Sequence, residues 1–310
     1  MHSTDVHTHL APLMGCEVDG VEEVGGRLVV DGHRVGVPGL YDAGALARHL
    51  AVNGVDRAWV SAPPPLYRQH LDAERTREWV RALDDGLRAR VASEPALDRL
   101  TYLPFDRPEI AFELVSDISD SVGWTASAGG GSLALDDPSF EPLWAAVAAR
   151  RKPLLLHPGE SPDQRLDRHY LGNLLGNPVE TGLATAQLVL GGVLTRHPGL
   201  MIILVHGGGV VPSVVARWAR GVSTSRPGIT TVEDPLQVVR RLWSDCLVHR
   251  PELVDLAIST FGADHLLLGS DYPFPMGLDN PFEPLAGLDP ELRSRIAGNA
   301  DVIMRAGLLS

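Results

Sequence analysis

Asp5-Val6-His7-Thr8-His9 runs straight into Leu10-Ala11-Pro12. A His-x-His alternation inside a short apolar-flanked run is the signature of a strand end. Side chains at i and i+2 of a strand share a face, so His7 and His9 aim both imidazoles at one spot. Two imidazoles at one spot are a pair of ligand positions for a metal ion. A chance histidine pair is the alternative, and the rest of the chain decides between the two.

Downstream, short apolar runs alternate with amphipathic stretches. Strands are expected at 57–62, 100–104, 122–126, 153–157, 200–206, 242–247 and 266–271. Helices are expected at 43–53, 75–92, 110–116, 140–151, 180–196, 210–220 and 251–261. With the run ending at His9, that makes eight strands separated by helices. The strands are near-continuous apolar runs, as when helices cover a parallel sheet. Eight such units in 310 residues predict a closed (β/α)8 barrel of the TIM type as one domain over residues 1–310, with an open doubly wound sheet as the alternative. One segment falls outside the alternation. Arg27-Leu28-Val29-Val30 and His33-Arg34-Val35-Gly36-Val37 flank Asp31-Gly32, a type I′ hairpin turn, so residues 14–40 are expected to form a small β insertion after the first strand.

Four expected strands finish on a possible metal ligand: His7/His9 on the first, His157 on the fifth, His206 on the sixth and Asp271 on the eighth. The carboxyl ends of barrel strands converge on one mouth, where active sites are built. Singly, His157 could pack or cap a helix and Asp271 could cap a turn. Together they predict a metal centre. Asp245, Cys246 and His249 lie near the seventh strand's end, where packing and capping is the expected role. Gly129-Gly130-Gly131 lacks a following Lys-Ser/Thr and is no phosphate loop.

Composition narrows the function. A net charge of −12 argues against nucleic acid and anionic membrane as partners. Two cysteines far apart, Cys16 and Cys246, point to a reducing compartment and no thiolate zinc site. With proposed ligands from residue 7 and no apolar run of membrane-spanning length, a soluble cytoplasmic protein without a signal peptide is expected.

The stretches Asp5-Val6-His7-Thr8-His9, Leu156-His157-Pro158, Gly176-Asn177-Pro178-Val179-Glu180-Thr181, Val205-His206-Gly207-Gly208-Gly209 and Gly269-Ser270-Asp271-Tyr272-Pro273-Phe274-Pro275 resemble the amidohydrolase superfamily, as does Ala297-Gly298-Asn299-Ala300. The branch they are most similar to is that of α-amino-β-carboxymuconate-ε-semialdehyde decarboxylase. The resemblance implies one divalent ion, usually Zn2+, held by His7, His9, His157 and Asp271. His206 would stand beside it as general acid/base, forming the catalytic pair with Asp271. Three imidazoles and a carboxylate suit Zn2+, with Mn2+ or Co2+ as alternatives. The family's binuclear members use a carboxylated lysine at a strand's carboxyl end. The sole lysine, Lys152, precedes the fifth strand and so sits at the opposite end.

The activity implied is decarboxylation of a small unsaturated or aromatic carboxylic acid, without an organic cofactor, by a metal-bound hydroxide and His206. The same site could instead run hydrolysis or hydration of a lactone, amide or alkene. A metal-binding structural protein is a third reading, but it would leave His206 without a task. For the substrate, Arg34 on the hairpin falls at the family's carboxylate-binding arginine. Arg217 matches the arginine lent to a neighbouring subunit, which implies a homodimer. An exposed helix residue is the plainer role for Arg217. Tyr170 stands where the family has tryptophan and Asn173 where it has a bulky aromatic, and 12–23 is unlike the family's loop, so the resemblance does not fix the exact substrate.

Overall fold

The computed structural model describes residues 2–308 apart from 119, 130 and 132, so the middle of the glycine run at 129–131 lies outside the described residues. Eight parallel strands follow one another around the sheet in chain order: β1 (Thr4–His9), β2 (Arg57–Ser61), β3 (Leu97–Leu103), β4 (Gly123–Ser127), β5 (Pro153–His157), β6 (Met201–Leu204), β7 (Trp243–Asp245) and β8 (Leu266–Leu267). The last returns to the first. Asp5 pairs with Leu268 and Thr8 with Tyr272, both in parallel. Val6 N donates to Leu268 O (3.0 Å), Asp271 N to His7 O (2.8 Å) and His9 N to Tyr272 O (2.8 Å). These bonds close a barrel and exclude the open sheet, whose first and last strands would be unpaired edges.

The covering helices are α1 (Ala43–Asn53), α2 (Ala73–Val91), α3 (Pro108–Asp117), α4 (Glu141–Arg150), α5 (Asn177–Leu190), α6 (Val211–Ser223), α7 (Pro251–Phe261) and α8 (Pro290–Leu308). Local chemistry sets their ends. The carboxylates of Asp42 and Asp72 accept from Ala45 N (2.8 Å) and Arg75 N (3.0 Å), satisfying donors at the starts of α1 and α2 that the helices leave open. α1 ends at Gly54 in a left-handed conformation that a side chain would disfavour. α2 buries Trp79, Val80, Leu83 and Leu87, which recur at helical spacing, and exposes Arg75, Arg81 and Arg88.

Two apolar layers result. Val6, Trp59, Leu100, Leu155, Ile203, Trp243 and Leu267 fill the barrel interior. A larger shell between strands and helices includes Leu46, Trp79, Trp124, Phe140 and Trp144. Burying a side chain of this size is worth about 1.5–3 kcal/mol, so the strands are held from both faces. With its lower half packed, the barrel can receive a ligand only at its mouth.

The insertion is present and larger than a hairpin. Arg27–Val30 and His33–Arg34 pair antiparallel around Asp31-Gly32, both in the left-handed region. Val21–Val24 adds a third strand on the other side of Arg27–Val30, turned by Gly25-Gly26. Two expectations are corrected and one element is new. The helix expected at 180–196 starts earlier, at Asn177, and breaks after Leu190, because Gly192 takes a left-handed conformation. The strand expected at 266–271 is continuous only over Leu266–Leu267, and beyond it the chain meets β1 through the isolated parallel bridges of Leu268 and Tyr272. α8 was not anticipated.

Candidate metal centre

β1, β5, the turn after β6 and the segment after β8 bring His7, His9, His157, His206 and Asp271 to the carboxyl end of the barrel. Ring centroids of His7 lie 5.2 Å from His9, 5.0 Å from His157 and 5.1 Å from His206. Asp271 Oδ1 faces His7 Nε2 at 3.4 Å and His9 Nε2 at 3.1 Å, and its Oδ2 faces His206 Nε2 at 3.7 Å. The five residues expected at the site therefore meet in one place.

The far nitrogens of three rings are each engaged. His7 Nδ1 meets Asp245 Oδ2 (2.8 Å), His9 Nδ1 meets Ser61 Oγ (3.0 Å) and His157 Nδ1 meets the Pro158 carbonyl (2.9 Å). Donation to carboxylate and carbonyl puts the proton of His7 and His157 on Nδ1 and leaves Nε2 with a free lone pair. Buried and without a hydrogen-bond partner are His7 Nε2, His9 Nε2, His157 Nε2 and Asp271 Oδ1. Buried acceptors turned toward one another and left unsatisfied are costly unless a cation sits among them. That donor set, nitrogen and oxygen without sulfur, fits a divalent ion. Atoms of His7, His157, His206 and Asp271 also lie within 4.8 Å of one another, a group that could hold a metal ion.

Electrostatics agree. Burial, reinforced by the neighbouring rings, holds His157 well below the usual histidine range, and burial lowers His9. Burial acts the same way on His7, but the carboxylates of Asp271, Asp245 and Asp5 together carry it above the usual value. Asp271 is driven well below the carboxylate range: burial opposes ionisation, and the surrounding His7, His206 and His9 overcome it. Neutral His9 and His157 beside an ionised Asp271 are protonation states a metal requires, and the raised His7 marks how strongly the surrounding carboxylates attract a positive charge there.

His206 stands apart from the other three. It follows β6 on a turn in which His206, Gly207, Gly208 and Gly209 all have positive φ (56°, 64°, 77° and 59°), which presents its ring at the rim. Its side chain keeps 17 % exposure, whereas those of His7 and His9 have none. It lines a cavity of about 240 Å³ with Asn173, Leu174, Asn177, Leu247 and Asp271. A space of that volume limits a ligand to a single ring or short chain.

The other expected residues lie elsewhere. Arg34 and Arg217 are exposed, on the insertion and on α6, and Tyr170 is 66 % exposed after β5. Among the described residues lining the cavity, none of these three appears, and neither does any other arginine or lysine; His249 does. Cys246 is buried with its thiol pushed upward. Lys152 precedes β5 at the barrel's amino end and donates to Ser121 O (2.7 Å), away from the ligands. Packing and capping understates Asp245: it supports His7 and also accepts from Gly207 N (2.8 Å) and Leu247 N (3.2 Å). Ser61 was missed as well. Its only sequence signal was its place at the end of β2, beside β1.

Residues 125–300, which include His157, His206 and Asp271, match the model of the family described as Amidohydrolase. The chain belongs to the amidohydrolase family. It is 34% identical over 147 residues to a 2-amino-3-carboxymuconate-6-semialdehyde decarboxylase of Dictyostelium discoideum, a match spanning 46% of this chain and 41% of that relative. It is 26% identical over 273 residues to a gamma-resorcylate decarboxylase of Rhodococcus jostii, spanning 77% of this chain and 82% of the relative. In fold it resembles a dihydroxybenzoic acid decarboxylase from Polaromonas sp. JS666 solved with bound manganese, at TM-score 0.78, 21% identity and coverage of 98% and 97%. Among the described residues of this family member, no helix is long and apolar enough to cross a membrane.

Proposed function

We propose that this chain is a metal-dependent decarboxylase of a small unsaturated or aromatic carboxylic acid, working without an organic cofactor. The observation that carries the reading is the convergence of four buried polar atoms without hydrogen-bond partners, His7 Nε2, His9 Nε2, His157 Nε2 and Asp271 Oδ1, beside a cavity lined by Asp271 and His206. His7, His9, His157 and Asp271 would hold one ion, Zn2+ before Mn2+ or Co2+. Bound there, it would supply a Lewis acid for the substrate's oxygens.

The chain's own residues do the rest. Asp271 Oδ2 lies 3.7 Å from His206 Nε2, setting its negative charge beside the ring. When the bond to the carboxylate carbon breaks, CO2 leaves without the electron pair, which stays on the substrate carbon. His206, the rim histidine beside Asp271, gives that carbon a proton and recovers one from water. The apolar part of the wall, Leu174 and Leu247 among it, shields the carbanion-like carbon from bulk water.

Arg34 and Arg217 are proposed for the substrate carboxylate and Tyr170 for its ring. Arg217 would act from the neighbouring subunit of a homodimer, and a cytoplasmic location suits the two free cysteines. The reading is tested by loading the protein with Zn2+ or Mn2+ and measuring CO2 release from 2,6-dihydroxybenzoate, 6-methylsalicylate and 5-carboxyvanillate. Release from none of them, with a lactone or amide cleaved instead, would replace it with a hydrolase.

A further inference from the structure

We propose that Asp245 is a positioning residue that ties the two halves of the site together, fixing the His7 tautomer through one carboxylate oxygen and holding the His206 turn through the other. This rests on the metal-centre reading and not on the identity of the reaction.

Asp245 and His7 are both completely buried, and the contact between Oδ2 and Nδ1 is 2.8 Å. An ionised carboxylate only accepts, so His7 must carry its proton on Nδ1 and present the Nε2 lone pair toward Asp271 Oδ1, 3.4 Å away. The other ring nitrogens that face away from the centre have neutral partners, a serine hydroxyl and a backbone carbonyl. The hydroxyl of Ser61 can donate or accept, so it leaves the His9 tautomer open. Asp245 leaves no such freedom to His7.

The second oxygen does different work. Oδ1 accepts from Gly207 N at 2.8 Å and from Leu247 N at 3.2 Å. Gly207 lies inside the run of four left-handed residues that begins at His206. Such a run is unstable alone and persists when the surroundings over-determine it. The bond to Gly207 N is a buried side-chain restraint on it, one residue from His206, beside the backbone bonds from Gly208 N to Val205 O (3.1 Å) and from Gly209 N to His206 O (3.0 Å). Asp245 is itself held by the β7 ladder, where it pairs with Leu267. Room for its carboxylate is made by Gly269, where a Cβ would stand 2.7 Å from Asp245 Cβ and 3.0 Å from Oδ2.

Asp245→Asn separates the two tasks. Its amide oxygen can still accept from Gly207 N, but its NH2 would face His7 Nδ1. The ring would then have to accept there and move its proton to Nε2, where it blocks ligation. The same logic governs the catalytic-triad aspartate-to-asparagine change, in which geometry survives and the tautomer is wrong. Loss of such an outer partner lowers metal affinity about 10–100-fold.

The test measures Zn2+ affinity by chelator competition, together with histidine 15N shifts in the metal-free protein. In the parent, at a pH where the ring is neutral, His7 is expected as the Nδ1–H form. Asp245→Asn should show the Nε2–H form and bind Zn2+ about 10–100-fold more weakly, while Ser61→Ala changes affinity less than about tenfold. The parent spectrum stands as a test even if the Asn variant does not fold. A parent His7 in the Nε2–H form, or Asp245→Asn binding Zn2+ within twofold of the parent, overturns the proposal. A parent that binds no Zn2+ instead overturns the metal centre itself, and absent decarboxylation bears on neither result.

Discussion

Gly208→Ala adds one methyl to the turn that carries His206, and the structure sets its cost. Gly208 has a φ of +77°, and a Cβ there would stand 2.6 Å from Phe261 Cζ and 3.0 Å from Cε2. Favourable carbon contacts begin at about 3.5 Å, so ring and turn must part by roughly 1 Å. Phe261 is 2 % exposed at the end of α7, so the turn is the softer partner. The left-handed backbone costs about 1–2 kcal/mol for a residue with a Cβ and the overpacking about 1–3 kcal/mol more. At about 2 °C per kcal/mol in a chain of this size, the melting temperature should fall by about 4–10 °C. A displacement of 1 Å at a catalytic group costs about 100-fold in rate, so kcat should fall by that order even where the variant remains folded. Gly228→Ala is the control: its φ is +82°, but nothing lies within 4 Å of a Cβ there. It should lose only the backbone share, about 1–2 kcal/mol, with kcat unchanged. Thermal melts and turnover at saturating metal distinguish the two. If Gly208→Ala melts with Gly228→Ala and turns over like the parent, the turn does not position His206.

Three further outcomes are expected. Zn2+ or Mn2+ at 100 times its dissociation constant should stabilise the native state by about 2.7 kcal/mol, raising the melting temperature by about 5 °C; unchanged melts would refute the centre. His206→Asn should lower kcat by about 10²–10⁴ while bound metal, measured by elemental analysis, stays the same; loss of the metal would make His206 a ligand. Asp106 is 5 % exposed, both of its oxygens lack partners, and burial pushes its carboxyl from 3.8 to about 6. The native state thus holds this proton more tightly than the unfolded chain, and stability is lost as pH rises through about 6. Asp106→Asn should therefore gain up to about 3 kcal/mol at pH 8, at about 1.36 kcal/mol per pH unit, and nothing near pH 4. Urea unfolding at the two pH values checks this, and an equal gain at both contradicts it.

Much of the site was legible because its parts are local. A two-residue period places His7 and His9 on one face, and apolar runs ending in His157, His206 and Asp271 mark strand ends without any tertiary knowledge. Asp245 was not legible, since its contact with His7 spans 238 residues and its own neighbourhood offers an ordinary capping role. The third insertion strand was hidden by Glu22 and Glu23, exposed polar residues in Val21–Val24 that break the apolar signal. α8 was hidden by Gly298 and Asn299 near its middle. The structure explains the asparagine: its side-chain amide donates to Ala263 O (2.9 Å) and Leu266 O (2.8 Å), tying the helix to the start of β8. Arg34 and Arg217 were placed by resemblance alone, and nothing in their surroundings reports on a ligand.

The junction of β1 with β8 gives ion capture a place in time. Ser270 N reaches Asp5 Oδ1 at 3.1 Å across 265 residues, and three of the proposed ligands, His7, His9 and Asp271, flank that junction. Joining positions so distant is among the slowest and entropically most expensive contacts a chain can make. An intermediate lacking the last strand would hold its histidines without the carboxylate. Appearance of tight metal binding during refolding should therefore clock the final stitching of the barrel, and the ion would act as a rivet through the overlap of its two ends.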